Sequence, residues 1–198
     1  MFSEWADDFF KLFAWNVAEH EPVILQAWGG ELDEYIDAMV ADRRTSLTDD
    51  LISELIRAED DGDRLTIEEL RMLAAGILMA GTDTTRNQLA AAVDVLCDHP
   101  PDQWELLAEH PPELAMNAVE ELMRFYPVVF GAMRMTTEDV EYAGVEIPAG
   151  TFVLVNTASA NRDPATYDDP DTLDITRRGA APMQTFGAGA HYCLGANL

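Results

Sequence analysis

The chain has 198 residues, 48% of them hydrophobic, so it is globular rather than disordered and long enough for a real core. With 12 basic against 37 acidic residues its net charge is -25, which disfavours nucleic acid and anionic membrane surfaces as partners. No apolar run has the ~18 residues of a membrane span, Met1 to Phe13 lacks the basic start of a secretory signal, and Cys97 and Cys193 alone make no disulfide framework.

These features point to a reducing cytoplasm. The acidity predicts a solvated surface, and adaptation to high salt is a sharper second reading, because such charge repels itself at low ionic strength.

The first two-thirds reads as helix. Leu32, Tyr35, Ile36, Met39 and Val40 recur at helical spacing. Asp49 and Asp50 precede a short helix through Leu51, Leu55 and Ile56, and 58–63 is a charged turn. That turn resembles a calcium loop around Gly62, but the register puts Arg57 at the first ligand position, which rules it out. Thr66 and Glu69 form a capping box that opens a long helix. Its apolar positions are Ile67, Leu70, Ala74, Ile77 and Leu78, then Leu89, Val93 and Leu96. Another helix starts near Pro112 and ends by Tyr126, because Pro127 follows. Val140 to Ile147, with its Ala143-Gly144 turn, and Thr151 to Thr157 read as strands. Asn161 to Pro164 and Asp168 to Asp171 are turns.

Three places carry chemistry. Ala80-Gly-Thr-Asp-Thr-Thr85 puts glycine and polar residues in mid-helix, an expected interruption, because hydroxyls and carboxylates compete for backbone hydrogen bonds. It is either a polar helix-packing patch or a groove in which Asp83 and Thr84 relay protons. In the Pro112 helix, Glu121 falls inside the apolar stripe of Leu114, Ala118, Leu122 and Phe125, while Glu120 falls opposite. A buried carboxylate needs a partner, and Arg124 is one turn away, so the pair reads as structural.

The third place is Phe186-Gly-Ala-Gly-Ala-His-Tyr-Cys-Leu-Gly195, where three glycines surround one cysteine. Gly187, Gly189 and Gly195 permit tight turns and the close approach of a flat ligand. A helix start at Leu194 would favour a Cys193 thiolate. Zinc is disfavoured, because only two soft ligands lie close together. The plain reading of a cysteine as a small buried hydrophobe suits Cys97, beside Leu96 in a helix, and suits Cys193 poorly.

Together the three motifs resemble the cytochrome P-450 superfamily in its soluble bacterial form. The Phe186–Gly195 segment resembles its cysteine-ligand loop, Ala80-Gly-x-Asp-Thr-Thr85 its oxygen-activation helix, and Glu121-x-x-Arg124 its helix-K pair. The resemblance implies a mainly α fold with a minor β component: a long central helix, the helix-K segment, small β hairpins and the ligand loop. It implies haem b with Cys193 as axial thiolate, and Asp83 and Thr84 as the acid and alcohol that deliver protons. His191 and Arg134 would hold the propionates, with Ala80, Gly81, Phe186, Gly187, Gly189 and Gly195 against the cofactor. Ile77, Val128, Val129 and Phe130 would touch substrate.

The implied activity is insertion of one oxygen atom from dioxygen into an apolar small molecule, with electrons from a ferredoxin-type donor. Residues 1–198 would be a partial domain, without the first helices and the final C-terminal segment. An inactive helical remnant and a peroxide-driven enzyme are the other readings. One departure from the family pattern concerns the helix-K pair. Thr172 stands where an arginine completes its network, leaving Arg177 or Arg178 to close it.

Overall fold

Trp5 and Ala6, on helix α1 (Phe2–Phe10), begin the core of the first of two compact units, Met1–Thr85 and Arg86–Leu198. The computed structural model describes residues 2–14, 16–60, 65–98, 101–179 and 181–197. Residues 58–60 of the expected charged turn are still helical, which corrects that part of the expectation, and residues 61–63, with the centre of the rejected calcium loop, lie outside the described residues.

In the first unit, α2 (Val17–Gln26) runs through a π-helical turn, Ala27–Leu32, into α3 (Asp33–Thr45). Helix α4 (Leu51–Asp60) follows, and then the start of α5 (Ile67–Asp98). Leu32, Ile36, Val40, Ile56, Leu70, Ala74 and Met79 close on Trp5 and Ala6 as one apolar cluster. The predicted spacing of α3 therefore delivers its apolar side to the core. Polar contacts fix the ends. Trp5 donates to Glu31 at 3.0 Å, and Arg71 grips Asp37 through two bonds of 2.9 and 3.0 Å.

Two caps start helices as expected. The Thr66 amide donates to Glu69 at 2.7 Å while the Glu69 amide donates back to the Thr66 hydroxyl at 3.2 Å. Ahead of α4, Asp50 accepts from the Ser53 amide at 2.8 Å and from the Thr48 hydroxyl at 2.8 Å, with Arg43 3.1 Å away. The Ser53 amide, then the Thr48 hydroxyl, hold the Asp50 carboxyl down at about 2.

The second unit contains the end of α5, α6 (Pro101–Glu109) and α7 (Pro111–Phe125). Its core is Val95, Leu96, Leu114, Ala118, Leu122, Phe125, Leu173 and Ile175. Two antiparallel strand pairs follow: β1 (Gly131–Met135) with β4 (Phe152–Asn156), and between them in sequence the hairpin of β2 (Val140–Tyr142) with β3 (Val145–Ile147). A short helix, α8 (Thr157–Ala160), leads into the turn-rich segment.

Three expectations need correction. Leu89 and Val93 are exposed rather than core: the α5 side chains packed in this unit are Ala92, Val95 and Leu96, one stripe of the helix, and Val93 points about 100° away from Ala92. Cys97 is exposed, since it points about 100° around the helix from buried Leu96. The turn after Cys193 is 3-10 over Leu194–Asn197, tighter than the α-helix start expected there.

Candidate functional site

Thr82 and Thr84 turn their hydroxyls back into their own helix. Thr82 donates to the Leu78 carbonyl at 2.7 Å and Thr84 to the Ala80 carbonyl at 2.6 Å. The expected interruption of α5 is therefore absent, and the helix runs unbroken from Ile67 to Asp98. Back-bonding to the carbonyl four residues earlier satisfies the hydroxyls without opening the ladder. Ile77, Asp83 and Thr84 are half-buried, and Ala80 and Gly81 are exposed, all on this one helix.

The charge in α7 is buried as expected. Glu121 is 4% and Arg124 2% exposed, whereas Glu120 faces solvent. Arg124 donates twice to Glu121, at 2.7 Å from both Nε and Nη2. Its remaining donors meet the carbonyls of Asn161 at 2.9 Å, Pro170 at 2.8 Å and Thr172 at 3.2 Å. Arg177, not Arg178, supplies the second cation, 3.2 Å from Glu121 Oε2. Thr172 contributes its backbone carbonyl, which accepts from both arginines at 3.2 Å. Tyr167 lies under the Arg124 guanidinium, 5.2 Å from ring centroid to Cζ, and burial pushes its hydroxyl pKa up.

This network anchors the glycine-rich loop. Asn161, fully buried, donates to the Thr185 hydroxyl at 2.9 Å and accepts from the Gln184 amide at 2.6 Å. Thr185 in turn donates to the Met123 carbonyl of α7 at 2.9 Å. The chain entering Phe186 is thus tied to α7 and to the turn at Asn161. Sequence reasoning saw Asn161 only as a turn residue. Its role depends on the side chain's direction, which no local pattern encodes.

From Phe186 the loop closes on itself. The Cys193 amide donates to the Phe186 carbonyl at 2.9 Å, and the Phe186 and Tyr192 rings meet edge to face at 6.3 Å. Gly187 and Gly189 have φ of +72° and +68°, a left-handed conformation that side chains disfavour. Gly195 is different: it has no positive φ, and a Cβ there would stand 3.9 Å from Cys193 Sγ, in ordinary van der Waals contact with the sulfur. Cys193 and His191 are both exposed.

Arg134 lies on β1 opposite Val153, exposed, with one hydrogen bond to the Met133 carbonyl at 2.9 Å. It forms no salt bridge among the described residues, although the chain is strongly acidic. Val128 and Phe130 line a cleft of about 490 Å³ together with Phe125, Tyr126, Pro127, Ala158 and Arg162, and Val129 is exposed beside them.

The residues fit the haem expected from the sequence. An exposed thiol stands in a loop closed by its own backbone, with no side chain on the glycine beside it. A cation without a carboxylate suits a carboxylate-bearing ligand.

The comparisons with known proteins agree. A family model described as cytochrome P-450 matches residues 1–198. A vitamin D(3) 25-hydroxylase of Pseudonocardia autotrophica is 46% identical over 171 residues, 85% of this chain and 42% of that protein. A nocardicin C N-oxygenase of Nocardia uniformis subsp. tsuyamanensis is 44% identical over 169 residues, 84% of this chain and 42% of that protein. The solved structure of the cytochrome P-450 enzyme CxnD, for C–S bond formation in chuangxinmycin biosynthesis, matches at a TM-score of 0.86 and 38% identity. That match covers 98% of this chain and 46% of that one. The chain spans about half the length of the relatives it matches.

Proposed function

The chain belongs to the cytochrome P-450 family, whose cofactor is haem, and on that premise we propose that it supplies the thiolate ligand and proton relay of a monooxygenase. The enzyme inserts one oxygen atom from dioxygen into an apolar small molecule, in the cytoplasm, with electrons from a ferredoxin-type donor. The chain acts with a further stretch that brings it to the length of its relatives. The observation that carries this reading is the exposed Cys193 thiol in the backbone-closed loop from Phe186.

Haem, when bound, supplies the oxygen chemistry, with a thiolate ligand that favours O–O cleavage. Cys193 holds the iron, and Phe186, Gly187, Gly189 and Gly195 shape the loop against the cofactor. Arg134 and His191 hold its carboxylates. On α5, Ala80 and Gly81 leave room beside the helix. Thr84 Oγ accepts a hydrogen bond through its lone pairs while its own hydrogen stays on the Ala80 carbonyl, and rotation off that carbonyl frees it as a donor, so that a proton received on one side is matched by one given up on the other. Asp83 beside it brings protons in. Ile77, Val128, Val129 and Phe130 present apolar surface to the substrate.

Thr84→Ala tests the relay in the enzyme at the length of its relatives. Alanine is the better helix former, so α5 survives. The variant should consume reductant while releasing peroxide in place of product, and Asp83→Asn should slow turnover as a whole. An unchanged ratio of product to reductant would remove the relay role. Turnover driven by added peroxide alone, at the parental rate in both variants, would favour a peroxide-driven enzyme.

A further inference from the structure

Proline at 127 leaves a gap in the backbone. It ends α7 and has no N–H, so the Tyr126 carbonyl before it and the Val128 amide after it lack a regular ladder partner. One side chain satisfies both. Gln88, in α5 four residues after Thr84, donates from Nε2 to the Tyr126 carbonyl at 3.0 Å and accepts from the Val128 amide at Oε1 at 3.1 Å. Its carboxamide spans the proline as a short piece of strand would.

The rest of the segment is pinned at its ends. Arg162 donates to the Phe125 carbonyl at 2.6 Å, the Thr157 hydroxyl to that of Val129 at 3.4 Å, and the Ala158 amide to that of Phe130 at 3.1 Å. At the centre, Gln88 alone bonds these two groups among the described residues.

We propose that Gln88 is a positioning residue that sets Val128, Val129 and Phe130, and through them the orientation of the substrate. The inference rests on the substrate-contacting role proposed for those three side chains. Ordering a half-buried glutamine side chain costs conformational entropy, and its two bonds offset that cost while fixing the Tyr126 carbonyl and the Val128 amide relative to α5. Leucine matches its bulk and makes neither bond. Glutamate keeps the acceptor for Val128 and loses the donor to Tyr126.

The test has two arms. In the chain itself, amide hydrogen exchange at Val128 should quicken about tenfold in Gln88→Leu, the loss of one net hydrogen bond, and stay near parental in Gln88→Glu. In the haem-loaded chain, Soret titrations with imidazole and 4-phenylimidazole compare a ligand that needs only the iron with one whose phenyl ring needs an apolar wall. Gln88→Leu should lower affinity for 4-phenylimidazole several-fold relative to imidazole, with Gln88→Glu recovering most of the difference. General destabilisation would weaken both ligands alike and leave that ratio unchanged. Unchanged Val128 exchange would overturn the clamp. Faster exchange with an unchanged ratio would overturn the positioning role. Failure of the parent chain to respond to imidazole would count against the haem reading, and Val128 exchange would then decide on the clamp.

Discussion

The Arg177 guanidinium lies 3.2 Å from the Glu121 carboxylate, although 56 residues separate them in sequence. Glu121 therefore meets two arginines and also accepts the Asp174 amide at 3.0 Å. A buried carboxylate so surrounded joins α7 to the turn-rich segment that anchors the glycine-rich loop.

Removing either partner should cost stability in a defined order. Glu121→Ala leaves Arg124 buried beside no carboxylate and should cost roughly 3–5 kcal/mol. Arg177→Ala removes a partly exposed cation and should cost about 1–3 kcal/mol. Exposed Glu120 and Arg178 are the controls, within about 0.5 kcal/mol of parental as alanine variants. Denaturant unfolding measures all four. Equal stability of Arg177→Ala and Arg178→Ala would show that Arg177 does not close the network.

Asp50 gives a pH dependence with a fixed sign. Its carboxyl is lowered in the folded chain from 3.8 to about 2, first by the Ser53 amide, so the ionised form is the one that folding favours. Its stabilisation is complete above 3.8 and is lost as pH falls from there through about 2. Asp50→Ala should melt below the parent at neutral pH, and the gap should shrink by about pH 3, inside that window. A gap independent of pH would contradict the cap.

The net charge of -25 predicts a response to salt. Screening shortens the reach of repulsion to about 10 Å at 0.1 M ionic strength, so the melting temperature should rise on adding sodium chloride. A flat or falling curve would leave the acidity as solvation alone.

Arg134 is predicted to act on haem and not on folding. Arg134→Ala should weaken haem affinity roughly tenfold or more, the loss of a charge-assisted bond, with no change in melting of the haem-free chain. Equal haem affinity in parent and variant would assign the carboxylates to other residues.

The sequence was informative where chemistry is local. The Thr66–Glu69 box, the stop at Pro127 and the placement of Glu121 on the apolar side of α7 all follow from spacing over a few residues. The glycine-rich loop was legible for the same reason, since φ values near +70° leave few residue types to choose from. Long-range closure was not. Arg177 and Arg178 are indistinguishable as neighbours in sequence, and only the turn between Asp168 and Arg177 decides which one faces Glu121. The side-chain roles of Gln88 and Asn161 are not local, because each side chain meets partners at least 23 residues away. The continuity of α5 is not legible from residue types, because the threonine hydroxyls find partners inside the helix.

Ligation of the haem iron by Cys193 is read from the reduced carbon monoxide difference spectrum of the haem-loaded chain. The parent and Cys97→Ser should both give the red-shifted, thiolate-type Soret band, and Cys193→Ser should lose it, because a neutral hydroxyl cannot replace the electron-rich sulfur. A thiolate-type band that survives in Cys193→Ser and disappears in Cys97→Ser would make Cys97, not Cys193, the iron ligand.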